Sequence, residues 1–234
     1  MFLPQEVSYG KLLEMYFKSR AEAGRQLADK LTAYNKINSV VIALTPGAVI
    51  VGAQIAMKLH SSLMMLLTEN ITLPGETEPL AAVTSENTFT YNNKFSLGEL
   101  AEMHDEFINI IESQRLDRLH HLHALLGHGG EIHRELLRHR TVILVSDGLS
   151  NGFSLDVAAD YLKTIKLERL IIATPIASVT AVDRMHLVGD GIACLSVIAN
   201  YLDTNHYYDD NTIPDTDDLI KVLMSTPVNW DQHS

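Results

Sequence analysis

One cysteine, one tryptophan and few basic residues mark this chain by what it has little of. The lone Cys194 can form neither an intramolecular disulfide nor a thiolate zinc cluster, and its setting in "GIACLSVIA" is that of a buried strand residue. A membrane span needs roughly 18 continuous apolar residues, and no stretch approaches that. The N-terminus "MFLPQEVSYGKLLEMYF" lacks the basic start, apolar run and cleavage site of a secretory signal, so a cytoplasmic location is expected. Lys and Arg number 18 against 29 Asp and Glu, a net charge of −11. That balance disfavours a nucleic-acid groove, because phosphate backbones are held by clustered cations. An anionic small ligand would need local donors or a metal.

What is present suits an α/β protein. In 234 residues, 46% hydrophobic, there is material for a substantial core. Leu12, Leu13, Tyr16, Leu27, Ala28 and Leu31 recur at helical spacing and predict one or two N-terminal helices. The run "VVIAL" predicts a strand, followed by a Thr45-Pro46-Gly47 turn and a helix to His60. "LMMLLTE" predicts a second short strand, and the segment 70–93, punctuated by Pro74, Gly75 and Pro79, a loop with a short hairpin. Residues 97–140 are polar and helical in pattern, with a break at the "GHGG" of 127–130, and form an expected helical excursion within a single domain, 1–234. "TVILV" and "RLIIATPIA" read as strands buried on both faces, and Pro214 as opening a last helix. The alternation predicts a doubly wound parallel sheet, whose ligands sit at the carboxyl ends of the strands.

Two strand-turn-helix corners therefore point at one crevice. One spans residues 44–48, the other lies within "TVILVSDGLSNGFSLDVAADYL". Backbone N–H groups over residues 150–154 would open a helix, where unpaired donors and the dipole attract an anion, and a monophosphate is the natural guest. The same residues serve equally as an ordinary small-residue crossover with a serine cap.

"VILVSDGLSNGFSL" resembles the phosphoribosyl pyrophosphate signature of the type I phosphoribosyltransferases, an apolar strand, two acids and a phosphate loop. "SRAEAGRQLADKL", "LTPGAVIVGAQIA", "LPGETEPLAAV", "IIATPIA", "GDGIACL" and "YYDDNTIPDTDDLIKVL" are similar, in the same order, to further segments of the predicted bacterial branch. The resemblance implies a homodimer and a phosphorylated small-molecule partner: phosphoribosyl pyrophosphate, a nucleotide or a sugar phosphate. It also implies site residues: Asp147 beside the ribose, the loop Ser146, Gly148, Leu149, Ser150, Asn151, Gly152, Phe153 and Ser154 around the phosphate, and Thr45, Pro46, Gly47 and Ala48 at the pyrophosphate.

The departures are as informative. Ser146 stands where the family has its first acid, Asn151 where it has Thr, Pro46 where it has Arg, and Glu69-Asn70 where an Arg-Lys pair ends the next strand. Charge-assisted donors contribute about 1.5–3 kcal/mol each. Their loss points to a protein that keeps a phosphate-binding loop but is impaired in standard transfer and acts in binding or regulation. The alternative is an active Mg²⁺-dependent phosphoribosyltransferase of unknown acceptor, its cations supplied by Lys94, Arg115 or Arg118. No resident metal site is expected. His120, His121, His123, His128, His133 and His139 read as a solvated helical surface, as do Glu131 and Arg134. His186 and Asp190 are placed after the "ATPIA" strand, near a base.

Overall fold

The computed structural model describes residues 16–35, 37–126 and 132–225. Leu12, Leu13, His128, Glu131 and the glycine break at 127–130 lie outside them. In chain order the elements are β1 (Phe17–Ser19), α1 (Arg20–Lys30), β2 (Ser39–Ala43), α2 (Pro46–Leu59), β3 (Ser62–Met65), β4 (Thr68–Ile71), β5 (Ala81–Thr84) and β6 (Phe89–Tyr91). They continue with α3 (Leu97–Leu126), β7 (Thr141–Val145), α4 (Phe153–Leu162), β8 (Arg169–Ser178), α5 (Val179–Val188), β9 (Gly191–Ile198), β10 (Tyr208–Asp210) and α6 (Thr216–Ser225).

The central sheet has the order β3-β2-β7-β8-β9, every neighbour parallel. Its strands are continuous apolar runs because successive side chains point to opposite faces and both faces are covered. Val41, Ala43, Ile143 and Val145 pack with Leu27 of α1 and Val51 and Ile55 of α2. Val40, Ile42, Leu144 and Ile172 pack the other way, against Leu155 of α4 and Met185 of α5. This is the doubly wound parallel sheet expected from the sequence. β2 and β7 are adjacent and in register, Ala43 opposite Val145, so the two corners that follow them lie side by side.

Three expectations are corrected. The N-terminal segment is not helical throughout: Phe17–Ser19 forms β1, paired in parallel with β10 through Phe17↔Tyr208 and Ser19↔Asp210. Ser19 then caps α1, its Oγ accepting from Glu22 N (3.3 Å), while Lys18 N donates back to Glu22 Oε2 (2.9 Å), so the helix starts one residue later. The segment expected as a loop with a hairpin does hold the hairpin β5-β6, but β4, which begins before it at Thr68, joins the pair in a three-stranded antiparallel sheet. Leu73, Leu80 and Ile111 tie that sheet to α3, which breaks at Phe107 (φ −115°, ψ 16°) as this ring packs among them. At the first corner there is no separate turn, because Pro46 is already the first helical residue of α2.

Candidate functional site

The first corner satisfies its own donors except the Gly47 N–H, which meets no acceptor among the described residues. Thr45 caps α2, its Oγ1 accepting from Ala48 N (3.0 Å), and Val49 N donates to the Thr45 carbonyl (3.2 Å). The same Thr45 hydroxyl donates to Asp147 Oδ1 across the crevice (2.7 Å). Gly47 is required by that approach: a Cβ there would stand 2.1 Å from Asp147 Oδ2 and 2.7 Å from Arg20 Nε. Ala48 is buried with no exposure, while Thr45 and Gly47 face Asp147.

Asp147 is the hub. Arg20 Nε donates to its Oδ2 at 2.8 Å, and the two side chains are only 2% and 9% exposed. The guanidinium is anchored twice more, by Nη2 donating to Asn205 Oδ1 (2.6 Å) and by stacking 4.7 Å above the centroid of Tyr208. Arg20 Nη1 is buried and has no hydrogen-bond partner among the described residues. The Tyr208 hydroxyl donates to the Asp147 carbonyl (2.6 Å); burial, then the Asp147 charge, pushes this phenol up, so it stays a donor at physiological pH. Tyr201, paired with Thr204 (2.8 Å), lies so close that a Cβ on Gly148 would meet its Oη at 2.4 Å. Burial pushes the Tyr201 phenol up to about 12. Sequence reasoning missed Arg20, Tyr201, Asn205 and Tyr208 as site residues: Arg20 and Tyr208 fall in segments that the resemblance singles out, whereas Tyr201 and Asn205 fall in none. Their partners lie up to 185 residues away along the chain.

The second corner is built differently. Leu149 is bridged to Ala177, with Leu149 N donating to the Ile176 carbonyl (3.1 Å) and Ser178 N to the Leu149 carbonyl (2.9 Å), which pins the loop to β8. Gly152 is the N-cap of α4 in the left-handed region (φ 79°) and offers no side-chain cap. Asn151 Oδ1 accepts from Phe153 N (3.0 Å), while the N–H groups of Gly152 and Ser154 meet no acceptor among the described residues. Ser150 and Asn151 are exposed and Ser154 half-buried. Packing at Gly152 leaves no room for a side chain: a Cβ there would meet Arg184 Cβ at 2.8 Å. The Leu149 and Phe153 side chains belong to the core, leaving only their backbone for a ligand. The Ser146 hydroxyl turns back to donate to the Gly148 carbonyl (2.8 Å).

The cations proposed for the crevice are paired elsewhere. Lys94 bonds Glu78 (2.9 Å), Arg115 bonds Asn87 (3.0 Å) and lies 3.6 Å from Glu112, and Arg118 pairs with Glu69 (3.3 Å), which His121 also contacts. Glu69 thus faces α3 instead of a polyanion. Asp190 is corrected too: its carboxylate accepts from Leu170 N (2.8 Å) near the start of β8, at the amino end of the sheet. A cleft of about 740 Å³ between α4, α5 and the edge of β6 includes Asp156, Arg184 and Asp190 but none of residues 45–48 or 146–154. No group of three His, Cys, Asp or Glu among the described residues could hold a metal. Nor is any described helix long and apolar enough to cross a membrane.

No protein-family model matches the chain. Two curated proteins from two strains of Mycobacterium tuberculosis, each named "Putative phosphoribosyl transferase", are 24% identical over 208 residues, 88% of this chain. The chain spans about half the length, 46%, of those relatives. The crystal structure of TT1426 from Thermus thermophilus superposes with a TM-score of 0.72, covering 90% of this chain and 98% of that one at 24% identity. The names of the curated relatives agree with the resemblance to the phosphoribosyltransferases, and the superposition bears out the fold.

Proposed function

We propose that this chain of type I phosphoribosyltransferase resemblance binds a nucleotide or sugar phosphate and is impaired in standard phosphoribosyl transfer. The observation that carries the reading is the contrast at the crevice. The start of α4 keeps free N–H donors beside exposed Ser150 and Asn151, whereas Asp147 is already charge-balanced by buried Arg20. A monophosphate needs the first feature alone. Ribose hydroxyls would donate to the lone pairs of Asp147 left by Arg20 and Thr45. A pyrophosphate would need cations at the first corner, where Pro46 and Ala48 supply none.

Mg²⁺, expected for an active enzyme, does not fit the residues present. It takes an octahedral oxygen shell that includes one or two carboxylates. Here the neighbouring acid is replaced by Ser146, whose hydroxyl is turned onto Gly148, and both Asp147 oxygens accept from Arg20 or Thr45. A second reading, an active phosphoribosyltransferase of unknown acceptor, is favoured by one observation: Arg20 brings a cation to the Gly47 loop. A homodimer is proposed on the family resemblance and is checked by sedimentation.

Calorimetry with ribose 5-phosphate, AMP and phosphoribosyl pyrophosphate on wild type and Asn151→Asp tests the choice. The substituted carboxylate keeps the acceptor for Phe153 N but repels an anion, so monophosphate binding should weaken by about tenfold or more. Tight binding of phosphoribosyl pyrophosphate alone, with release of pyrophosphate on adding bases, would transfer the case to the second reading.

A further inference from the structure

We propose that Arg20 is the resident cation of the crevice, held against Asp147 in place of a divalent ion, so that a ribose phosphate binds there without Mg²⁺. The inference rests on the ligand class proposed above but is also readable on the ligand-free protein. Arg20 is 3% exposed, and its fork is fixed by Asp147, Asn205 and the Tyr208 ring. It cannot swing aside without leaving a buried carboxylate uncompensated. A divalent ion reaching Asp147 would meet a like charge already in hydrogen-bond contact, with no second carboxylate to offset the repulsion.

Two details point to a cation kept for a ligand, beyond a structural tie. Gly47 leaves room for the pair to reach the loop, since any Cβ there would collide with both partners. Arg20 Nη1 remains a buried donor without an acceptor among the described residues. Buried guanidinium nitrogens are ordinarily satisfied, and an oxygen of a bound ribose phosphate, or an ordered water it recruits, would satisfy this one. The chemical class follows: an anionic ribose monoester, with its phosphate at the start of α4 and its sugar beside the Arg20–Asp147 pair.

The first test is a Mn²⁺ titration followed by electron paramagnetic resonance on ligand-free protein. Wild type should hold no Mn²⁺ at the crevice; Arg20→Gln should gain one site, lost again when Asp147→Asn is added. The second is ribose 5-phosphate calorimetry in EDTA and in Mg²⁺. Wild-type affinity should be the same in both, whereas Arg20→Gln should weaken by about tenfold or more in EDTA and recover with Mg²⁺, a rescue that a purely structural role would not produce. If Arg20→Gln fails to fold, Arg20→Lys keeps the charge and should retain binding in EDTA. Mn²⁺ bound to wild type and lost with Asp147→Asn, about tenfold tighter wild-type binding with Mg²⁺, or an Arg20→Gln variant that binds like wild type in EDTA would each overturn the proposal. Absence of ribose 5-phosphate binding would instead sink the ligand assignment, and the Mn²⁺ result would still decide the role of Arg20.

Discussion

The β2–α2 and β7–α4 corners lie side by side in one parallel sheet and end in different states. At the first, Thr45 uses its one hydroxyl both to cap α2 and to reach Asp147, and proline and alanine fill the opening turn. At the second, glycine opens α4 and Gly152 and Ser154 keep their donors. Sheet topology brings two helix N-termini to one crevice, but capping chemistry decides which can receive an anion. The closed corner is the one where the sequence carries Pro46 and Ala48. The open corner is the one where Gly152 and the serines persist.

The comparison breaks most visibly at the closed corner. Asp147→Ala leaves the Arg20 guanidinium buried without its counter-charge and frees Thr45, so unfolding in urea should show a loss of about 3–5 kcal/mol. Removing both charges, Arg20→Met with Asp147→Leu, should cost less than the single change, because a buried pair replaced by apolar groups is often neutral. Equal losses in the single and double variants would mean that Asp147 acts through packing alone. At the open corner the largest effect comes from Gly152→Val, which places a β-branched residue at φ 79° against the stem of Arg184. About 1–3 kcal/mol of stability should go, whatever the ligand, so loss of binding in that variant says little about the phosphate.

The central sheet was legible because strands buried on both faces are written as unbroken apolar runs, as in "VVIAL" and "TVILV". The β1–β10 pair was not: three-residue strands carry no period, and their pairing joins Phe17 to Tyr208 across most of the chain. Loop composition pointed to where an anion is expected. It could not show that Asp147 is compensated, since its partner Arg20 lies 127 residues earlier in a helix whose pattern registers only the apolar face. Glu69 illustrates the same limit: reading it beside a polyanion site failed because α3 folds back to bring Arg118 and His121 to it.

Smaller changes sharpen the contrast between the corners. Thr45→Ala removes a cap and a hydrogen bond to Asp147 and should cost about 0.5–2 kcal/mol in thermal or urea unfolding. Asn151→Asp should go the other way, gaining about 0.3–1 kcal/mol from a negative charge at a helix start while losing monophosphate affinity. A variant that gains stability and loses binding would identify the open N-terminus as a site kept free at the expense of the fold. Destabilisation by Asn151→Asp would mean that the donors at Gly152 and Ser154 are satisfied in solution by something the carboxylate displaces.

The subtlest effect concerns Asp156, the acid in the first turn of α4. Burial, the dominant cause, holds its carboxyl above the usual 3.8, opposed by the hydrogen bond and charge of Arg184. A carboxyl raised in the folded state binds its proton more tightly there than in the unfolded chain. Its stabilising contribution is therefore present below 3.8 and is lost as pH rises through the folded value. Asp156→Asn removes that titration while keeping an oxygen to accept from Asn93, which donates to the wild-type carboxylate at 3.0 Å. The stability of the variant relative to wild type should accordingly improve as pH climbs out of the acid range and stay constant above it. Urea midpoints measured from acid to neutral pH check the sign. A difference drifting the opposite way would mean that Arg184 outweighs burial, making the open corner as internally charge-balanced as the closed one.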